Sequence, residues 1–394
     1  MLNSKFLSFG YLITILGLFF YSFTQIDLGL TLTKWSVWQV AQKSFQQIGY
    51  FNRPVSALFF LILIFFIFLF YLLFLKISTK KMISHKKIWF LIIVSSVVLG
   101  FSYNAFSYDL FNYIFDAKII TFYHQNPYFQ KALDYPVDPM LSFMHWTHRV
   151  YPYGPVWLAL TVPLSFIGFQ FFLLTFFLYK ALTALSFLGA IFFIGKILKK
   201  TSRNDLLGIV FFGLNPLLII ESLVSGHNDI VMMFFALAGF YFLIEKKYLF
   251  AFIFIALSIG VKFATVFLIP SIIIVLIYQW QKKEIPWNKI WLLSFISMAI
   301  AVVFASFRTN FQPWYLIMIL PFVSLIEKKY YIYIPVFIIS LFSLLQYTPF
   351  LYLGNWDYPV PNILYQMTLG SIILSVVFTL FYFLKISLAK KKIK

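Results

Sequence analysis

Along this 394-residue chain, long apolar runs alternate with short polar breaks at the spacing of membrane helices. About 20 apolar residues cross the ~30 Å hydrocarbon core of a bilayer. Runs of that length or somewhat shorter fall at 6–23, 54–75, 88–105, 170–195, 206–221, 230–244, 248–260, 263–278, 290–307, 314–326, 330–345 and 363–384. The pattern predicts an all-α polytopic membrane protein with about twelve transmembrane helices and both termini on one side. The first run has no small-residue cleavage site behind it and reads as an anchor. The apolar segment 155–169 is short, and if it crossed, every later loop would change sides. It is expected to be a re-entrant or interfacial helix. The chain then reads as one transmembrane domain, 1–394. Two N-terminal spans (1–87) precede a core (88–326), and further spans end in a lysine-rich tail (327–394).

Composition supports this and charge orients it. Hydrophobic residues make up 62% of the chain and charged ones only 11%, too few for a soluble domain of this length. With alternate loops assigned to the cytoplasm, 22 of the 31 Lys/Arg lie inside, in clusters at 76–87, 196–203, 246–247, 282–289, 328–329 and 385–394, together with Lys5. The net charge of +19 is therefore mostly positive-inside bias, and a nucleic-acid partner is not needed to explain it. With no cysteine, disulfides, thiol chemistry and Cys-ligated metals are excluded.

The expected outer loops collect the unusual residues. In FSYDLFNYIFDA (106–117), Asp109, Asn112 or Tyr113, and Asp116 share one helical face, while Leu110, Phe111, Ile114 and Phe115 cover the other. This predicts an amphipathic helix along the membrane surface. Its carboxylates are either a solvated polar face or a site in which Asp109 or Asp116 is a general base toward a hydroxyl, since a partly desolvated carboxylate titrates closer to working pH. In SGHND (225–229), His227, Asn228 and Asp229 stand at a helix mouth, where Asn228 or Asp229 would serve as an ordinary cap. A His/Asp metal site lacks a further ligand in sequence. Arg149, Lys262 and Arg308 are suited to holding a phosphate. Snorkelling is the simpler account of Arg149, whereas Lys262 is sunk in an apolar run without an obvious acidic partner. Lys180, with no polar neighbours in sequence, reads as structural. YPYGPVW (151–157) and QPWY (312–315) supply Tyr153, Trp314 and Tyr315, either as interfacial aromatics or as sugar platforms.

The order SYDLFNY, NPY (126–128), YPYGPVW, NPLLIIES (215–222), GHND, Lys262 within ALSIGVKFATVFLIP and QPWYLIMILP (312–321) resembles the GT-C glycosyltransferases that use polyprenyl-phosphate sugars. It is most similar to the bacterial polyprenol-phosphomannose-dependent α-1,6-mannosyltransferases, over roughly residues 100–325. The resemblance implies inverting transfer of a hexose, mannose by family, to a lipid-linked or cell-envelope glycan. The reaction would use no metal or other cofactor and take place on the outer face of the plasma membrane. It implies that Asp109 is the base and that Lys262 and Arg308 contact the lipid phosphate. Asp116, Tyr113, Tyr153, Arg149, His227, Asn228, Asp229, Trp314 and Tyr315 are expected to bind substrate. The expected partners are the polyprenyl-phosphate sugar, a glycan or glycolipid acceptor and membrane lipids. A polysaccharide polymerase or ligase is the nearer rival reading. A flippase of lipid-linked sugars would instead carry charged or broken helices at mid-membrane.

Overall fold

The computed structural model describes residues 4–201, 205–326 and 330–391. The lysine clusters at 196–203, 328–329 and 385–394 lie partly or wholly outside them. Among the described residues there is no β-strand, only an isolated bridge between Lys131 and Val150. This is the expected outcome where hydrocarbon offers no water to satisfy backbone groups, because a helix pairs its own.

The helices run α1 (Ser4–Ser22), α2 (Ser36–Gln46), α3 (Arg53–Thr79), α4 (His85–Gly100), α5 (Asp109–Thr121), α6 (Pro155–Ile167), α7 (Phe172–Thr201), α8 (Asp205–Gly213), α9 (Pro216–Leu218), α10 (Asp229–Ile244), α11 (Tyr248–Val261), α12 (Ile269–Trp280), α13 (Trp287–Thr309), α14 (Leu320–Leu325), α15 (Tyr330–Leu345), α16 (Tyr347–Leu353) and α17 (Val360–Lys391). Every expected span has a helix. Among the described residues seven stretches are long and apolar enough to cross a membrane, or eight if the bent pair Asp205–Gly213 and Pro216–Val224 is one span. The others are shorter. The expected span 88–105 is helical only to Gly100, after which the chain turns toward α5. The interfacial candidate became α6, whose 13 residues extend about 20 Å, short of a crossing.

Helix α10 forms the centre, packed against α7 and α11. Every residue from 206 to 233 is buried, a run that includes all of SGHND, whereas α17 is mostly exposed at the periphery. NPLLIIES breaks its span by 48°. Pro216 has no N–H to continue α8, and Asn215 Oδ1 accepts from the amides of Leu217 and Leu218 to start a new helix. That helix opens at once into a π turn, Ile219–Val224. Lys180 of α7, fully buried, donates to the carbonyls of Leu223 and Val224 at the end of the turn and to Ser102 Oγ at 3.3 Å. Its structural reading stands on these bonds.

Contacts sort the helix ends into two groups. Lys87 of α4 donates to the Ser4 carbonyl (2.8 Å), His85 meets Asp205 (3.0 Å) and Lys200 meets Glu245 (3.0 Å), which gathers the lysine-bearing ends. At the other end the Tyr103 amide donates to Ser22 Oγ (3.0 Å), and α5, α6 and the loop 122–154 close over the bundle. Helix α5 does not lie on a lipid surface. It packs against α6 and α7, with Tyr113 on its buried side.

YPYGPVW docks α6 onto the end of α11. The Gly154 amide donates to the Val261 carbonyl (3.1 Å), and Tyr151 Oη donates to the Gly154 carbonyl (2.8 Å). A Cβ on Gly154 would stand 2.2 Å from the Gly260 carbonyl oxygen, so the two backbones meet only because residue 154 has no side chain. Gly154→Ala should therefore lower the thermal unfolding temperature in detergent by the equivalent of about 1–3 kcal/mol, as overpacking does. Gly370→Ala, inside α17 where a Cβ meets nothing within 4 Å, should not lower it and should raise it by the equivalent of up to about 1 kcal/mol.

Candidate functional site

At the closed end, the first turn of α5 faces the mouth of α10. Asp109, Asn112 and Asp116 line one side of a small cleft, and Trp146, Arg149, Pro152 and Tyr153 from the long loop line the other. This resolves the choice between Asn112 and Tyr113. Asn112 shares the cleft, while Tyr113 lies beneath it, edge-on to Tyr153 (5.2 Å) and Trp157 (5.1 Å). Arg149 is exposed, with its guanidinium over the Trp146 ring at 4.4 Å. Burial raises the Asp116 carboxyl well above the ordinary carboxylate range, and the charge of Asp109 adds to the shift.

The GHND turn lies directly behind. Gly226 holds φ +74°, a left-handed turn that swings the chain from the π turn into α10. His227, fully buried, stands between two carboxylates: Nδ1 is 3.5 Å from Asp109 Oδ2 and Nε2 is 3.2 Å from Glu221 Oε2. These are ion-pair distances, although neither nitrogen is aligned for a directed hydrogen bond. The Trp314 ring stacks on the imidazole at 4.2 Å. Burial opposes the charged imidazole, but the two carboxylates outweigh it and push its pKa up to about 9.

Asp229 departs from the expected capping role. Its buried carboxylate pairs with Lys262 Nζ at 2.9 and 3.0 Å, so Lys262 has an acidic partner 33 residues away that sequence spacing could not reveal. Lys262 also sits 5.7 Å over the Tyr315 ring, and Tyr315 Oη meets Thr309 Oγ1 at 2.5 Å. Asn228 is at the N-cap of α10 but makes no side-chain cap bond. Arg308 is exposed at the end of α13.

The two halves form one electrostatic unit. Burial chiefly raises the Tyr153 phenol, and the charges of Asp109, Asp116 and Asp229 add to the shift. Ser222, Ser225, His227 and Asn228 carry fully buried polar atoms with no hydrogen-bond partner among the described residues. Each such atom costs about 1–3 kcal/mol, and four residues of this kind on one turn mark a place held for something other than stability. No group of three His, Asp or Glu among the described residues could hold a metal ion. Sequence reading missed Glu221 as a neighbour of His227, and Tyr347, whose Oη donates to Glu221 Oε1 at 2.8 Å. Only the polar residue at the end of an apolar run hinted at Glu221, and nothing hinted at Tyr347.

A family model described as alpha-(1->6)-mannopyranosyltransferase, N-terminal domain, matches residues 13–278. No curated protein and no solved structure gives a significant match.

A raised imidazole pKa makes folding depend on pH. The folded state holds the proton more tightly than the unfolded chain, so this contribution is complete below pH 6.5 and is lost as pH rises through about 9. Thermal unfolding should shift to lower temperature across that window, and His227→Gln should flatten the dependence.

Proposed function

The chain belongs to the α-(1→6)-mannopyranosyltransferase family and is a glycosyltransferase, and on that premise we propose that it moves mannose from a polyprenyl-phosphate carrier to a glycan acceptor at the outer face of the plasma membrane. The observation that carries this reading is the pairing of a carboxylate cleft with a cationic group at one end of an apolar bundle. Asp109, Asn112 and Asp116 face the cleft, and Lys262 stands over the Tyr315 ring, paired with Asp229 at the end of the turn that brings His227 to Asp109. The lysine-bearing ends gather at the opposite end, as positive-inside orientation requires if the site faces outward.

In this reading the acceptor hydroxyl attacks the anomeric carbon from the side opposite the phosphate, with inversion. The new C–O bond forms as the bond to phosphate breaks, and its electron pair leaves with the phosphate. That anion needs no general acid, only positive charge, which Lys262 supplies. Asp109 takes the hydroxyl proton. Asp116, whose raised pKa makes it the weaker candidate for a standing anion, orients the acceptor together with Asn112, Arg149 and Tyr153. Tyr113 lies beneath this surface and shapes it. Trp314 and Tyr315 cover His227 and Lys262 and offer apolar faces to a sugar ring. Asn228 brings unpartnered amide atoms, and Asp229 holds Lys262 in place. Arg308, exposed, is left as a peripheral contact for the lipid phosphate.

Three variants separate these roles. Losing a positioned base costs about 10²–10⁴-fold in rate. Asp109→Asn should therefore abolish turnover with donor affinity nearly intact, and Asp116→Asn should be milder. Lys262→Ala should chiefly weaken donor binding. Near-normal turnover in Asp109→Asn would reject Asp109 as the base.

A further inference from the structure

Two buried polar side chains take no part in the reaction above. Glu221 is fully inaccessible in the π turn, and Tyr347 begins α16, far beyond the segment that carries the family signature. Burying a carboxylate in an apolar bundle is costly, and for packing alone an apolar residue would serve better. From the geometry we infer that Glu221 and Tyr347 are positioning residues that fix His227 against Asp109, so that the C-terminal part of the chain completes the catalytic site. The inference rests on Asp109 being the base.

The chain of contacts is continuous. Tyr347 Oη donates to Glu221 Oε1 at 2.8 Å, which leaves Oε2 turned to His227 Nε2 at 3.2 Å. His227 then presents Nδ1 to Asp109 Oδ2 at 3.5 Å. Trp314 lies nearly parallel to the imidazole, 18° between planes. Ion pairing at both edges and a ring stacked on one face restrain the imidazole, and a restrained imidazole restrains the carboxylate oxygen it faces. The π turn makes this possible, because a helix widened by one residue re-aims the side chains it carries. Phe106, at 5.2 Å from the Tyr347 ring, keeps the phenol in place from the segment leading into α5.

The groups facing His227 set its charge. Asp109 comes from α5 and Glu221 from the π turn. Lys180 of α7 lies under Gly226, with its Nζ committed to the carbonyls of Leu223 and Val224. Tyr347 of α16 acts through Glu221, and Trp314 contributes no charge. Asp229 and Lys262 neutralise each other two residues on. Burial lowers the imidazole pKa, but the two carboxylates more than offset it, to about 9. During transfer His227 neither gains nor loses a proton. Asp109 receives the acceptor proton through the oxygen not facing the imidazole.

The test is the pH dependence of mannosyl transfer by the purified full chain, with a synthetic polyprenyl-phosphate mannose as donor. The parent kcat/KM should fall on an alkaline limb near pH 9, where His227 loses its proton. An opposite charge at this range is worth about 1–3 pH units. Glu221→Gln should thus move the limb down by at least about one unit and lower kcat with little change in donor KM. Tyr347→Phe, which removes a single hydroxyl, should move it in the same direction by less. Reduced rates with an unmoved limb would show that both residues only support the fold and would overturn the inference. Should Glu221→Gln not fold, the limb of Tyr347→Phe decides by the same criterion. Asp109→Asn run in parallel separates the two levels. If it turns over normally, the base assignment itself falls; if it is dead while the limb of the other variants stays put, only the role of Glu221 and Tyr347 falls.

Discussion

Where the π turn ends, the carbonyls of Leu223 and Val224 have no amide left to accept from, and inside a membrane no water can replace it. Lys180 fills that place from α7 and reaches Ser102 at the end of α4 as well. One buried lysine side chain thus ties together a long span, a broken span and the entry to the carboxylate helix. Gly226, His227, Asn228 and Asp229 follow directly, so the position of every group on that turn depends on this bond. An apolar residue at 180 would fill the volume and leave two carbonyls orphaned.

On this support the chain places its charges in opposed sets. Asp109 and Glu221 bracket His227, and Asp229 brackets Lys262. The Asp229–Lys262 pair is neutral, and the protonated imidazole offsets one of the two carboxylates around it; such pairing is how ionisable groups are tolerated beside hydrocarbon. The arrangement also suits a reaction that passes from a neutral acceptor hydroxyl to a lipid phosphate anion. In the proposed transfer the Asp109 carboxylate would accept a proton at the cleft, and the Lys262 ammonium would face the developing phosphate charge. Both are fixed before substrate arrives, and preorganised charge of this kind is what lowers a barrier in a site poor in water. The aromatic cover of Trp314, Tyr315 and Tyr153 keeps it so.

Periodicity made the helices legible and put Asp109 and Asp116 on one face, with Asn112 or Tyr113 between them, because residues three and four apart on a helix must be neighbours. It also showed that Lys180 lacked polar company in sequence, although not that its partners would be carbonyls. The pairs that define the site's chemistry were beyond its reach. Asp229 and Lys262 are separated by the whole of α10 and α11, and Glu221 and Tyr347 by 126 residues. Their proximity follows from how the broken span sits in the bundle, which no local spacing encodes. Arg308, the other cation expected to contact the phosphate, stands exposed in the last turn of α13, a placement that its local sequence does not encode.

The most direct measurement offers the purified protein two mannose donors, polyprenyl-phosphate mannose and a nucleotide-activated mannose, with a labelled α-mannoside acceptor, and resolves the linkage of the product. The lipid-linked donor alone should yield an α-1,6-linked product. Transfer from the nucleotide sugar, or a product with the β configuration, would contradict inverting transfer from a lipid phosphate at this site.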